Sequence, residues 1–142
     1  SLALRRGIDA VDGVAESLPY KDLRFDFVLV ACSISYFGDL HRALKEAHRV
    51  LKNNGVLIIG FIDRNSSIGK QYEEHRAEST FYKEACFYSV DKLKSELTQA
   101  KFKQLEFCQT LFRPLGEIKE FEPARPGYGE GSFVVVQARK RI

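Results

Sequence analysis

An α/β fold with a mostly parallel sheet is what this sequence predicts, and three stretches predict it. The first is the apolar run FDFVLV at 25–30, which reads as a buried strand. The second is LHRALKEAHRVLK at 40–52, whose apolar residues recur at helical spacing. The third is VLIIGFI at 56–62, a second buried strand. Strand, helix and strand in succession make one crossover unit, which requires the two strands to run parallel. Ligands of such folds bind beyond the carboxyl ends of the strands. A site is therefore expected just after the first strong strand, near Ala31, Cys32 and Ser33.

The remaining elements follow in order. Residues 1–6 suit a short helix stopped by Gly7. Residues 8–14 (IDAVDGV) read as a short, weak edge strand, half polar because of Asp9 and Asp12. Pro19 marks a turn. In the first strong strand Val28, Leu29 and Val30 are apolar in succession, so both faces are expected to be covered. Asp39 is a good N-cap. After it Leu40, Ala43, Leu44, Ala47, Val50 and Leu51 form the stripe to be buried. His41, Arg42, Lys45, Glu46, His48, Arg49 and Lys52 fill the solvated face, with Glu46 and Arg49 placed to pair. Asn53, Asn54 and Gly55 end the helix, Gly55 being free to take positive φ. Ser66 or Ser67 caps a weakly apolar helix over 68–78, and an irregular aromatic stretch covers 81–88. Ser89 caps a helix that buries Val90, Leu93, Leu97 and Ala100. Residues 103–112 and 132–139 read as strands that pair antiparallel across the long loop 113–131.

Bulk properties narrow the function. The chain has 142 residues and 44% hydrophobic content, enough for one domain with a real core. No repeat or linker divides it. The net charge of +3 is scattered, and no basic stripe carries interleaved aromatics, which argues against nucleic acid. The basic group Arg139, Lys140 and Arg141 reads as a solvated tail. Cys32, Cys86 and Cys108 are widely spaced, with no CxxC and no Cys/His cluster. No metal site is expected, and a reducing, cytoplasmic setting fits. No apolar run reaches the roughly 18–20 residues of a membrane span, and no signal peptide opens the chain, so no membrane partner is expected.

Three pieces carry a family resemblance: GVAESLPY at 13–20, FDFVLV at 25–30 and LHRALKEAHRVLKNNGVLIIG at 40–60. In order and spacing they resemble the class I S-adenosylmethionine-dependent methyltransferases, in the small-molecule branch called type 11. Gly13, Ala15, Glu16, Leu18 and Pro19 match the first piece of the family pattern, and Phe25 and Asp26 the second. Glu46, Arg49, Val50, Leu51, Lys52 and Gly55 match the third. The resemblance covers nearly the whole chain and is to the C-terminal two-thirds of the family's domain. It implies a Rossmann-like sheet with an antiparallel C-terminal strand. It implies S-adenosylmethionine as cofactor and a small molecule as methyl acceptor.

The family's Gly-rich cofactor loop and the acidic residue on its second strand have no counterpart here. Residues 1–142 are therefore expected to form a single, partial methyltransferase domain that lacks the first two strands. Alone, it is expected to bind the cofactor weakly or not at all. Val14 stands where the family usually places a polar side chain on the adenine amino group.

By resemblance Val14, Ala15 and Glu16 would lie on the adenine side, and Ala31, Cys32, Ser33 and Tyr36 at the methionine end. Arg64, Tyr72, His75 and Tyr128 are the substrate-side candidates, because they follow the second strong strand or lie in the long final loop. His75 could act as a general base if the acceptor needed deprotonation. No catalytic residue is assigned, since methyl transfer from a sulfonium needs little acid–base chemistry. The alternative is a non-catalytic α/β module that pairs with a partner through an open sheet edge.

Overall fold

The structure is a computed structural model and describes residues 2–79 and 84–141. A short helix α1 (Leu2–Arg5) is followed by β1 (Phe25–Ala31), α2 (Leu40–Val50) and β2 (Leu51–Ile62). Then come α3 (Ser67–His75), α4 (Val90–Gln99), β3 (Phe102–Thr110), a two-residue β4 (Arg125–Pro126) and β5 (Phe133–Lys140). The sheet has five strands in the order β1-β2-β5-β3-β4. β1 pairs parallel with β2, and β5 is inserted antiparallel between β2 and β3. Hence β1, β2 and β3 all point one way. Their carboxyl ends share one rim of the sheet, where Ile62, Phe133 and Thr110 stand side by side.

The core lies on one face of this sheet. Leu40, Leu44 and Ala47 of α2 and Val90, Leu93 and Leu97 of α4 pack there on Leu57, Ile59, Phe61, Val134, Val136 and Ala138. The helical spacing and strand parity in the sequence dictate this set, and burial of each large side chain contributes about 1.5–3 kcal/mol. Caps form at the expected residues. Asp39 accepts from the Arg42 amide, Ser89 from the Lys92 amide, and Ser66 rather than Ser67 from the Gly69 amide. The expected helix over 68–78 ends its α-helical part at His75 and closes with a 3-10 turn over Arg76–Glu78.

Several expectations are corrected. Residues 8–14 form no strand, and Ile8, Val11 and Val14 are exposed. A strand needs a partner edge, and among the described residues this half-polar segment makes only an isolated bridge, from Val14 to Ser17. Nor is β1 covered on both faces: Phe27 and Leu29 are 68% and 69% exposed. β1 is the terminal strand of the described sheet, and α2 and α4 cover only the face opposite these two residues.

The turn after α2 also differs. Leu51 is already extended and pairs with Phe25, and the register then jumps so that Phe27 faces Val56. Asn54, not Gly55, holds positive φ (68°). Gly55 is needed for space, since a Cβ there would stand 2.7 Å from the Lys52 carbonyl oxygen.

Lys140 is not part of a solvated tail. It is buried, and its Nζ donates to the carbonyls of His48 (2.7 Å) and Leu51 (2.9 Å), capping the end of α2. Strand parity with Val134, Val136 and Ala138 puts it on the core face. His48, read as a solvated residue, is half-buried edge-on to Phe102. Burial and the Lys140 charge hold its pKa below the usual imidazole value.

Candidate cofactor site at the end of β1

The last residues of β1 and the turn after it build the floor of a cleft. Cys32 takes φ +60°, a left-handed conformation uncommon outside glycine, while its amide donates to the Gly60 carbonyl (2.8 Å). Sparsely populated backbone of this kind concentrates at ligand sites. A 3-10 turn over Ile34–Tyr36 follows, anchored by the buried Ile34. Segment 85–88 forms the opposite wall. Its carbonyls and amide are fixed by Arg76 Nη1 to the Ala85 oxygen, the Cys86 amide to the Ser35 oxygen, and the Arg64 amide to the Tyr88 oxygen. A cavity of about 190 Å³ opens between these walls, lined by Cys32, Ser35, Tyr36, Ile62, Tyr72 and Phe87. Tyr72 and Phe87 lie ring to ring at 5.8 Å. A volume of that size accommodates a single ring.

A turn at 14–17 is closed by the Ser17 amide on the Val14 carbonyl (3.1 Å). Glu16 reaches across from this turn: its Oε2 accepts from the Gly38 amide (3.1 Å), just before α2. Val14 is exposed, and among the described residues no hydrogen bond occupies the Ala15 amide. A free amide beside an apolar side chain suits the edge and face of a purine. Ala31 and Ser33 are small enough to leave room above the strand end. These features fit the adenine and methionine ends of S-adenosylmethionine.

Below the turn the chain runs down the side of α2, and the pairing of Glu46 with Arg49 proves wider than two residues. Arg49 Nε donates to Glu46 Oε2 (2.6 Å), and Nη1 to the Tyr20 carbonyl and Asp22 Oδ1 (both 2.8 Å). Nη2 donates to the Leu18 carbonyl and Glu46 Oε1 (both 3.1 Å), while Glu46 Oε1 accepts from the Leu18 amide (2.8 Å). The hydrogen bond from Arg49 holds the Glu46 carboxyl below the usual carboxylate range, and the two carboxylates raise Arg49 in turn.

Of the four substrate-side candidates, the structure brings only Tyr72 to the cavity beside Cys32 and Tyr36. His75 is exposed, 3.5 Å from Glu78, in a second cavity that also includes Tyr72 and lies along α3. The Arg64 side chain is exposed, although its backbone anchors the wall. Tyr128 packs on Phe107 and accepts from Lys94 Nζ (3.0 Å), beside β3 and α4. Sequence reasoning missed Ser35, Ile62 and Phe87. Ile62 could have been found as the last residue of its strand; Phe87 carries no such signal. The aromatic residues Phe81 and Tyr82 of the expected irregular stretch lie outside the described residues. A further cavity of about 260 Å³ sits under the loop after β3, lined among others by Phe112, Arg113, Lys119 and Arg125. Among the described residues no group of three or more His, Cys, Asp or Glu side chains is placed to hold a metal, and no helix is long and apolar enough to cross a membrane.

Comparisons with known proteins agree with the fold. A family model described as a methyltransferase domain matches residues 2–59. An uncharacterized protein of Methanocaldococcus jannaschii is 40% identical over 139 residues, which span 98% of this chain and 67% of that protein. A demethylmenaquinone methyltransferase of Chlorobaculum tepidum is 37% identical over 67 residues, 46% of this chain and 28% of that protein. Among solved structures, a Thermotoga maritima S-adenosylmethionine-dependent methyltransferase, described as a possible histamine N-methyltransferase, superposes with a TM-score of 0.94 at 44% identity. That match covers 99% of this chain and 68% of the other.

Proposed function

Since the chain belongs to the S-adenosylmethionine-dependent methyltransferases, we propose that its cofactor lies across the end of β1 and that the methyl acceptor is a small molecule held beside Tyr72 and Phe87. The observation that carries the reading is the Glu16–Gly38 hydrogen bond. It brings the turn at 14–17 against the loop that leaves β1, and in this reading Val14, Ala15 and Glu16 form one side of the cofactor site and Ala31, Cys32, Ser33 and Tyr36 the other.

When bound, S-adenosylmethionine supplies an electrophilic methyl group on a sulfonium. The residues of this chain then have to orient the acceptor and exclude water. Alignment of that kind supplies roughly 7–11 kcal/mol of a barrier. The rings of Tyr36, Tyr72 and Phe87 give the cavity flat apolar walls, suited to a planar acceptor. A small-molecule acceptor is consistent with the quinone named for the Chlorobaculum relative. Arg64, His75 and Tyr128 contribute to acceptor binding only at the margins in this reading. Cys32, Cys86 and Cys108 are unpaired, which suits a reducing, cytoplasmic setting.

The domain is read as partial. The exposed Phe27 and Leu29 on a terminal strand support this, as does the 68% share of the Thermotoga protein that the chain spans. The edge and open face of β1 would take up the remaining strands, which would bring the Gly-rich loop to the cofactor. Calorimetric titration of the 142-residue chain with S-adenosylmethionine is expected to show binding weaker than micromolar. Micromolar affinity would contradict the partial-domain reading.

A further inference from the structure

We propose that Glu46 and Arg49 are positioning residues for the cofactor: they set where the adenine-side turn at 14–17 sits along α2. The inference rests on the cofactor reading above. Its ground is how that turn is attached. Among the described residues, the side-chain hydrogen bonds that tie 14–20 to the rest of the molecule run only to Gly38, Glu46 and Arg49.

The attachment has a regular geometry. Residues 16, 18, 20 and 22 each meet α2 or Gly38, two residues before it, in descending order. Glu16 meets Gly38 at the top, Leu18 meets Glu46 and Arg49, and Tyr20 and Asp22 meet Arg49 at the bottom. At the foot the Leu23 amide donates to the Arg49 carbonyl and the Arg24 amide to the Val50 carbonyl, which delivers the chain into β1. A segment that forms no helix or strand is thus given a fixed height on α2 by one planar guanidinium and one carboxylate.

Arginine suits this task because its five donors lie in a rigid fork. Here the fork meets two backbone carbonyls, Asp22 and both oxygens of Glu46 at once. A lysine keeps the charge but presents a single point of donation. Without the fork, the segment 18–22 loses its fixed register on α2, and among the described residues the turn at 14–17 is held to the rest of the molecule by the Glu16–Gly38 hydrogen bond alone. The two residues touch no reacting atom, so their role is positioning and not catalysis.

The test compares the unaltered chain with Arg49→Lys and Glu46→Gln by amide-resolved NMR, using hydrogen exchange and then a titration with S-adenosylmethionine. In either variant the Leu18 amide is expected to exchange about tenfold faster or more, the size of one lost charge-assisted hydrogen bond. Amides at Ile59 and Val136 in the core should speed up only by the factor that the variant's loss of global stability accounts for. The cofactor-induced shifts at Ala15 and Glu16 should shrink relative to those at Cys32 and Ser33, and all of them should saturate at a higher cofactor concentration than in the unaltered chain. A rise at Leu18 that the loss of global stability fully accounts for would make the pair merely structural and overturn the proposal, as would an unchanged Leu18 amide. If Arg49→Lys does not fold, Glu46→Gln, which keeps the side-chain shape, carries the comparison. Shifts at Cys32 and Ser33 without shifts at Ala15 and Glu16 in the unaltered chain, with the local exchange response intact, would overturn the cofactor reading and leave the loop anchor.

Discussion

Glu46 shows how much a single carboxylate can organise. It accepts from Arg49 twice and from the Leu18 amide, and the Arg49 hydrogen bond is the largest cause of its lowered pKa. The sign of the pH dependence follows. A carboxyl whose folded pKa lies below its unfolded value stabilises the fold above the ordinary glutamate range, and that contribution is lost as pH falls through the folded value. Glu46→Gln is therefore expected to cost about 1–2 kcal/mol at pH 7, in the range for charge-assisted hydrogen bonds. Urea unfolding should show the gap between variant and wild type closing as pH falls below the ordinary glutamate range. A gap that stays constant into acid would mean that Glu46 acts through packing alone. The pair was legible in the sequence from its three-residue spacing. Its partners at Leu18, Tyr20 and Asp22 were not, because spacing along one helix says nothing about which distant backbone runs beside it. Lys140 was hidden differently. Its neighbours Arg139 and Arg141 suggested a tail, while the alternation in β5 already placed it inward.

At the scale of elements, the helices were the most legible, because each has a cap and a full apolar stripe. In α2, Leu40, Ala43, Leu44, Ala47 and Val50 are all buried as their spacing requires. The strands were legible in position and less so in surroundings. An unbroken apolar run such as FDFVLV signals two buried faces only when something supplies both covers. Here Phe27 and Leu29 face away from α2 and α4 and remain exposed. Residues 8–14 failed as a strand for the same reason, the lack of a neighbour. An apolar terminal strand invites edge-to-edge pairing between copies. Leu29→Lys is accordingly expected to reduce self-association in sedimentation velocity and to change stability by less than about 0.5 kcal/mol, as for an exposed site. A loss of several kcal/mol would show that Leu29 is packed in the protein as it exists in solution.

For the whole molecule, topology decides where chemistry can occur. β1, β2 and β3 point the same way with β5 reversed between them. This gathers the loop after β1, the loop before α3 and the long loop after β3 at one rim. The turn at 14–17 is carried to that rim along α2, and the cavity of Cys32, Tyr36, Tyr72 and Phe87 opens there. Crossover order and strand directions were readable from the sequence. The lining of the cavity was readable only in part, since Phe87 comes from a segment with no periodic pattern. In the proposed function the end of β1 and the turn at 14–17 are two walls of one cofactor site. An amide-resolved titration with S-adenosylhomocysteine tests it most directly, because a demethylated cofactor cannot react. The account predicts shifts confined to Ala15, Glu16, Cys32, Ser33 and Tyr36, all saturating with one affinity. Shifts centred on Arg113, Lys119 and Arg125, or two groups saturating independently, would contradict it.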